Sequence, residues 1–267
     1  MPLALIILLG IAPSAYGHGL LEGHLTERLP IWGCAVLLAA MWGLYYIGQR
    51  RVPPHRGEAL WVHAGMVVAA LATFGPFDGW AETSTAMHMV QHMLYMIIVA
   101  PLWALARPLP QWQAALRGRG RRVWHPILKA GRYPTAAALL HALAIWGWHA
   151  PKPYQLALDN LWWHVTEHIC FLFTGWLLWW SCLHASHARV PQALLALLLT
   201  LMHTGLLGAL LTFSTQTLYH ESGDLPDQQL AGLIMWVPGS LAYMLGLGWI
   251  AWRWLSRQWR RTSERAT

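Results

Sequence analysis

The chain has 267 residues, 56% of them hydrophobic and 11% charged, with 19 tryptophans, a composition outside the range of soluble globular domains. Nearly every residue lies in or beside an apolar stretch, so a separate soluble domain has no room to fold. The formal net charge of +7 does not point to a nucleic-acid partner, because the basic residues gather on one side of a membrane, as shown below.

The first seventeen residues, MPLALIILLGIAPSAYG, hold an apolar run too short to span and end in Ala15 and Gly17 at the spacing of a cleavage site. They read as a cleaved signal peptide, or else as a retained interfacial segment, leaving residues 18–267 as one transmembrane domain. Cleavage after Gly17 would give His18 a free amine beside its imidazole, two nitrogens able to chelate copper.

Seven helical spans of about 20 apolar residues follow at Leu29–Ile47, Ala59–Phe77, Ala86–Leu105, Pro134–Ala150, Trp162–Leu183, Pro191–Phe213 and Leu230–Trp252. Alternate connections, with the tail, hold all of the eighteen lysines and arginines except Arg28 and Lys152. The positive-inside rule therefore places the amino end outside and the carboxyl end in the cytoplasm. The predicted fold is an all-α polytopic bundle of seven transmembrane helices. Paired tryptophans, Trp162/Trp163 and Trp179/Trp180, bracket the fifth span as interfacial belts do. Cys34, Cys170 and Cys182 form no C-x-x-C pair and suggest neither a disulfide framework nor a zinc ribbon.

Fifteen histidines are many for such a chain, and an ionisable residue inside a membrane is a functional candidate by default. His88 and His92 share one face of the third span, because a helix brings i and i+4 together. His164 and His168 repeat the pattern on the fifth, and His149 closes the outer end of the fourth. These five are the candidate metal ligands. Met87, Met89, Met93 and Met96 crowd the third span, and a thioether beside imidazole suits copper, Cu(I) in particular. Methionine also fills gaps in helix packing without any metal. Met89, Met93, Glu167, His203 and Asp227 are candidates for further ligands or for groups supporting the ligands. For His141 and His203, nearer the bilayer middle, hydrogen bonding between helices is the simpler reading. His24 and His220 lie on the outer side. Asp227, Gln228 and Gln229 stand at the mouth of the last span, where capping of that helix is the safer role.

HVTEH, residues 164–168, also matches H-x-x-E-H, in which two histidines hold zinc and the glutamate activates water. No second protease signature accompanies it, so Glu167 is expected to orient a histidine or complete a buried charge pair. Cys170 points to a different face from His168 and is left out of the site. The basic run RGRGRR, residues 117–122, suits anionic lipid headgroups or simply fixes orientation.

Four stretches carry a resemblance: MHMVQHMLYMIIVAPLWALARP, WGWHAPKPYQLALDNLWWHVTEHICFLFTGWLLWW, MHTGLLGALLTFSTQTLY and DQQLAGLIMWVPG. In order and spacing they resemble the CtaG family of assembly factors for caa(3)-type cytochrome c oxidase, from about His88 to Gly239. The resemblance implies a seven-span protein of the bacterial cytoplasmic membrane that helps mature a haem-copper oxidase at the step filling a copper centre. Its partners would be oxidase subunits and other copper chaperones, with no enzymatic activity of its own. His88, His92, His149, Tyr154, His164, Glu167, His168, His203, Asp227 and Gln228 match the family's motifs. Two rival readings remain open. One is a haem-binding electron carrier with His92/His168 or His141/His203 as axial pairs, and the other is an H-x-x-E-H membrane zinc peptidase.

Overall fold

The computed structural model describes residues 29–219 and 224–266. The signal-peptide reading, His18, His24 and His220 fall outside them. The seven apolar segments are largely helical, the second breaking at Gly75 into two helices, and no strand occurs among the described residues. In chain order the elements are α1 (Leu29–Gln49), α2 (Glu58–Phe74), α3 (Pro76–Ala81), α4 (Thr85–Ala106), α5 (Leu109–Ala115), α6 (Arg121–Ala130), α7 (Pro134–Trp148), α8 (Pro151–Asp159), α9 (Leu161–Leu183), α10 (Val190–Thr212) and α11 (Leu225–Ala266). Four are long and apolar enough to cross a membrane: α1, α4, the segment His187–Thr212 that contains α10, and Leu225–Arg260 of α11. The chain is a helical membrane protein.

Prolines and short polar side chains set the helix starts. Pro134, Pro151 and Pro191 stand in the first turns of α7, α8 and α10, where a missing N–H costs nothing and the fixed φ suits the helix. The Ser84 hydroxyl accepts the Met87 amide (3.2 Å) at the start of α4, and the Asn160 side-chain Oδ1 accepts the Trp162 amide (2.9 Å) at the start of α9. Each satisfies one of the donors that a helix start leaves free.

α4 is not a uniform helix. It runs as an α-helix over Thr85–Met93, widens to a π-helix over Leu94–Val99 and returns to α over Ala100–Ala106. Pro101 explains part of this. In a π register residue 101 would donate to the carbonyl of residue 96, and proline has no proton to give. The Trp179 indole of α9 donates to that Met96 carbonyl instead, at 3.0 Å. Trp179 is therefore buried and structural, whereas Trp162 and Trp163 are exposed. The fifth span carries an interfacial tryptophan pair at one end, and at the other end Trp179 has been taken into the core.

The apolar interior divides in two. A larger cluster joins α1, α2, α4, α5, α7, α9, α10 and α11 around Tyr45, Met66, Trp103, Trp112, Trp176, Trp179 and Leu197. A smaller one gathers Met89, Met93, Met96, Ile145, Tyr154, Phe171, Tyr219 and Met235. Arg51, Arg107, Arg132 and Arg189 share one end of the bundle: Arg51 donates to the Ala114 carbonyl (2.6 Å), Arg107 to His184 Nε2 (2.6 Å) and Arg189 to the Arg132 carbonyl (2.7 Å). The helix starts of α4, α9 and α11 lie at the opposite end.

α10 and α11 meet backbone to backbone. A methyl group on Gly232 would stand 2.6 Å from the Gly208 carbonyl oxygen and from the Thr212 amide, and one on Gly208 would stand 2.8 Å from the Gly232 carbonyl. Small residues permit such approach where no hydrophobic force drives helices together in lipid. Gly232→Ala is expected to destabilise the protein by about 1–3 kcal/mol through overpacking and to lower its thermal midpoint in detergent by several degrees. Gly43→Ala, where nothing lies within 4 Å, should leave the midpoint unchanged or raise it. Equal midpoints for the two variants would refute the close contact.

Candidate metal centre

Helical phase assembles the site. On α9, His164, Glu167, His168 and Phe171 recur at i, i+3, i+4 and i+7 and so share a face. On α4, His88 and His92 stand one turn apart in the α-helical stretch just before the π segment. The two faces meet, so that one ligand atom from each of His88, His92, Glu167 and His168 lies within 4.8 Å of all the others. Glu167 Oε2 is 3.6 Å from His88 Nε2 and 3.6 Å from His92 Nε2. His164 Nε2 and His168 Nε2 are 3.2 Å apart. Two donors on one tetrahedral ion with bonds of about 2.0–2.1 Å would be about 3.3 Å apart, close to both separations.

The rings interlock. His88 lies with its centroid 4.3 Å from His92, 5.0 Å from His164 and 5.9 Å from His168, while His92 is 5.2 Å from His168 and 5.9 Å from His149. Phe171 and Tyr95 close the apolar side, at 4.7 Å from His92 and 4.9 Å from His168. The structure thus brings together all five predicted histidines, together with Glu167.

Burial makes the cluster chemically unusual. His88 and His92 are 1% exposed and Glu167 is 0% exposed. Both ring nitrogens of His88 and of His92, both carboxylate oxygens of Glu167 and Nε2 of His149 have no hydrogen-bond partner. Buried polar groups almost always find partners, and leaving one without costs about 1–3 kcal/mol, more when it is charged. So many orphaned donor atoms in one place fit a cation better than they fit a packed core. His149 is also set in its tautomer. Its Nδ1 lies 2.8 Å from the Ile145 carbonyl, which can only accept, so Nδ1 carries the proton and Nε2 keeps its lone pair.

The other candidates have different places. Met89 and Met93 are buried in the smaller apolar cluster, and Met93 Sδ would be 3.6 Å from a methyl group on Gly239 of α11. These thioethers pack the helix interface. His203 on α10 is not in the four-residue group, and its buried ring nitrogens make no hydrogen bond. His141 links three helices, with Nδ1 2.8 Å from Thr174 Oγ1 and Nε2 3.3 Å from the Tyr243 hydroxyl, as its interhelical reading requires. Asp227 accepts the Ser84 hydroxyl (2.7 Å) and the Ala86 amide (3.3 Å). It thereby ties the start of α11 to the start of α4, and its carboxylate positions the turn that carries His88.

Tyr219, which no helical period marks, covers the site from the 213–224 connection. Its ring stacks on Tyr154 at 3.8 Å, Tyr154 packs 5.6 Å from His88, and its hydroxyl donates to the His149 carbonyl at 2.9 Å. Burial, with Tyr154 and the Glu167 carboxylate adding to it, raises the Tyr219 phenol above its ordinary range, which keeps it a neutral donor. Gln228 holds this connection by accepting the Leu218 amide at 2.6 Å and donating to the Gln216 carbonyl at 3.3 Å.

A model of the family described as cytochrome c oxidase caa3 assembly factor, Caa3_CtaG, matches residues 33–257. The chain belongs to that family. No curated protein and no solved structure matches it. The matched range covers every described helix that contributes to the histidine cluster, so the cluster is a feature of the Caa3_CtaG region of the chain.

The Asp227 contacts can be tested directly. Asp227→Ala removes an acceptor from both Ser84 and Ala86 and should cost about 1 kcal/mol, seen as roughly fivefold faster hydrogen exchange at residues 86–88. Asp227→Asn, which keeps one acceptor oxygen, should lie between the variant and the parent. Unchanged exchange in Asp227→Ala would show that the carboxylate does not hold this turn.

Proposed function

We propose that this cytochrome c oxidase assembly factor carries copper, held by His88, His92, Glu167 and His168 with His149 and His164 at the rim, and that it serves metallation of the haem-copper oxidase. The convergence of four buried donor atoms within 4.8 Å, most of them without hydrogen-bond partners, carries this reading. In the proposed topology seven helices cross the bacterial cytoplasmic membrane, the basic end faces the cytoplasm, and the site faces the opposite side.

The chemistry of the donor set supports copper. Neutral imidazoles suit copper and zinc, and charge narrows the choice. A buried carboxylate in a low-dielectric bundle needs a compensating charge, and a monovalent ion with Glu167 makes the centre neutral, whereas a divalent ion leaves a net positive charge. Cu(I) is thus favoured by Glu167, without thioether ligands. The protein side supplies orientation: Ile145 fixes the His149 tautomer, and Asp227 holds the His88 turn. Tyr154 and Tyr219 separate the donors from water. Oxidase subunits and other copper chaperones are the proposed partners, with exchange of copper as cargo.

Packing supports copper over haem. The His92 and His168 rings are in edge contact, which leaves no gap for a macrocycle between them. The alternative pair is compromised because both nitrogens of His141 are already engaged.

Full-length protein purified in detergent and loaded with Cu(I) should bind one copper. His88→Ala and His168→Ala should each weaken binding at least tenfold and lower oxidase activity in cells, with the protein still present in the membrane. Glu167→Gln should weaken copper in the same way. Parental copper content in both histidine variants would refute the assignment. A Soret band would favour haem, and zinc retained in Glu167→Gln with loss of a proteolytic activity would favour the peptidase.

A further inference from the structure

The segment Arg107–Arg132 that joins α4 to α7 carries seven arginines and lysines and no acidic residue. Arg117, Arg119, Arg121, Arg122, Lys129 and Arg132 are exposed, and among the described residues none of them has a salt bridge to a carboxylate. The α6 helix orders part of this charge. At 100° per residue, Arg121, His125, Lys129 and Arg122 fall within an arc of about 100°. Leu128, Trp124 and Ile127 occupy an adjoining arc centred about 120° away, and all three pack against the larger apolar core. The helix is therefore anchored by its apolar side at the basic end of the bundle with its cationic side outward. Gly118, Arg121, Arg122, His125 and Pro126 line a shallow depression on that side.

We infer that α6 is a binding site for anionic phospholipid, with Arg121, Arg122 and His125 around the phosphate and Lys129 and the arginines of the preceding turn around neighbouring headgroups. Three observations favour a lipid over another polyanion. The helix lies where the apolar surface of the bundle ends, because Trp124, Ile127 and Leu128 join it to the core. Its cations are spread along one face and do not converge on a single deep pocket, which matches a plane of headgroups. Its neighbours at this end include Arg51, Arg107 and Arg189, while Glu58 at the same end accepts the His55 amide at 2.9 Å, so that positive charge predominates around the helix. Orientation by positive charge alone would need the charges but not their segregation on a helix whose other side is packed.

The test uses the full chain purified in a neutral detergent and supplied with phosphatidylglycerol or phosphatidylcholine, with retained lipid counted by native mass spectrometry. Phosphatidylglycerol should be retained in preference to phosphatidylcholine and displaced by salt. The triple variant Arg121→Gln, Arg122→Gln, Lys129→Gln should weaken phosphatidylglycerol on the order of a hundredfold, taking each charge to contribute about fivefold near an anionic surface. Thermal unfolding of the same variant should match the parent in the absence of lipid, which separates lost binding from misfolding. Equal retention of the two lipids by the parent, or equal phosphatidylglycerol retention by parent and variant, would overturn the proposal. So would displacement by millimolar inorganic phosphate or by a short oligonucleotide without added salt, since the site would then belong to a free anion or to nucleic acid.

Discussion

A carboxylate buried among imidazoles is the constraint around which this bundle is arranged. Glu167 is fully inaccessible, and its oxygens make no hydrogen bond. In an apolar setting an isolated carboxylate is heavily penalised, and attraction to a partner offsets that penalty only when the geometry is held. The nearest groups are His88 and His92, each 3.6 Å away and on another helix. The α4–α9 contact is thus decided by charge as well as by packing. The proposed copper ion, shared by these groups, would neutralise the carboxylate and satisfy the orphaned nitrogens at once.

The surrounding structure keeps these groups in place from both sides. Above the cluster, Asp227 joins the starts of α4 and α11, and Gln228 holds the connection that brings Tyr219 onto Tyr154. Below it, the π segment of α4 is completed by Trp179 of α9, which supplies the proton that Pro101 lacks. The same two helices are therefore joined by a hydrogen bond in the apolar layer and by the histidine–glutamate cluster toward the end. π segments are frequent at functional sites, and here one lies within two residues of His92. Its wider turn sets the phase between the histidine face above and the tryptophan-rich core below.

Much of this was legible in residue order. The apolar runs are largely helical, although the second breaks at Gly75, and the i, i+4 pairs His88/His92 and His164/His168 lie on facing sides of α4 and α9 as their spacing implies. The pairing of those faces was not legible, because periodicity within a helix says nothing about which neighbour it meets. The thioethers take a different face for a related reason. Met89 and Met93 adjoin the histidines in sequence, yet each is about 100° further round the helix than the histidine before it and packs into the apolar cluster. Glu167, expected either as a further ligand or as a partner of the histidines, lies 3.6 Å from both His88 Nε2 and His92 Nε2. Trp179 looked interfacial from its paired tryptophan, but the carbonyl freed by Pro101 drew it inside. Tyr219 sits on an irregular connection, where no period could have marked it.

X-ray absorption spectroscopy of the copper-loaded full-length protein tests the central claim most directly. The arrangement of His88, His92, Glu167 and His168 predicts a copper ion in a nitrogen and oxygen shell, with the outer scattering of several imidazoles and no sulfur neighbour. A dominant copper–sulfur shell would instead place the metal on the methionines or cysteines, and an edge showing no protein-bound copper would leave the buried donors without the ion that explains them.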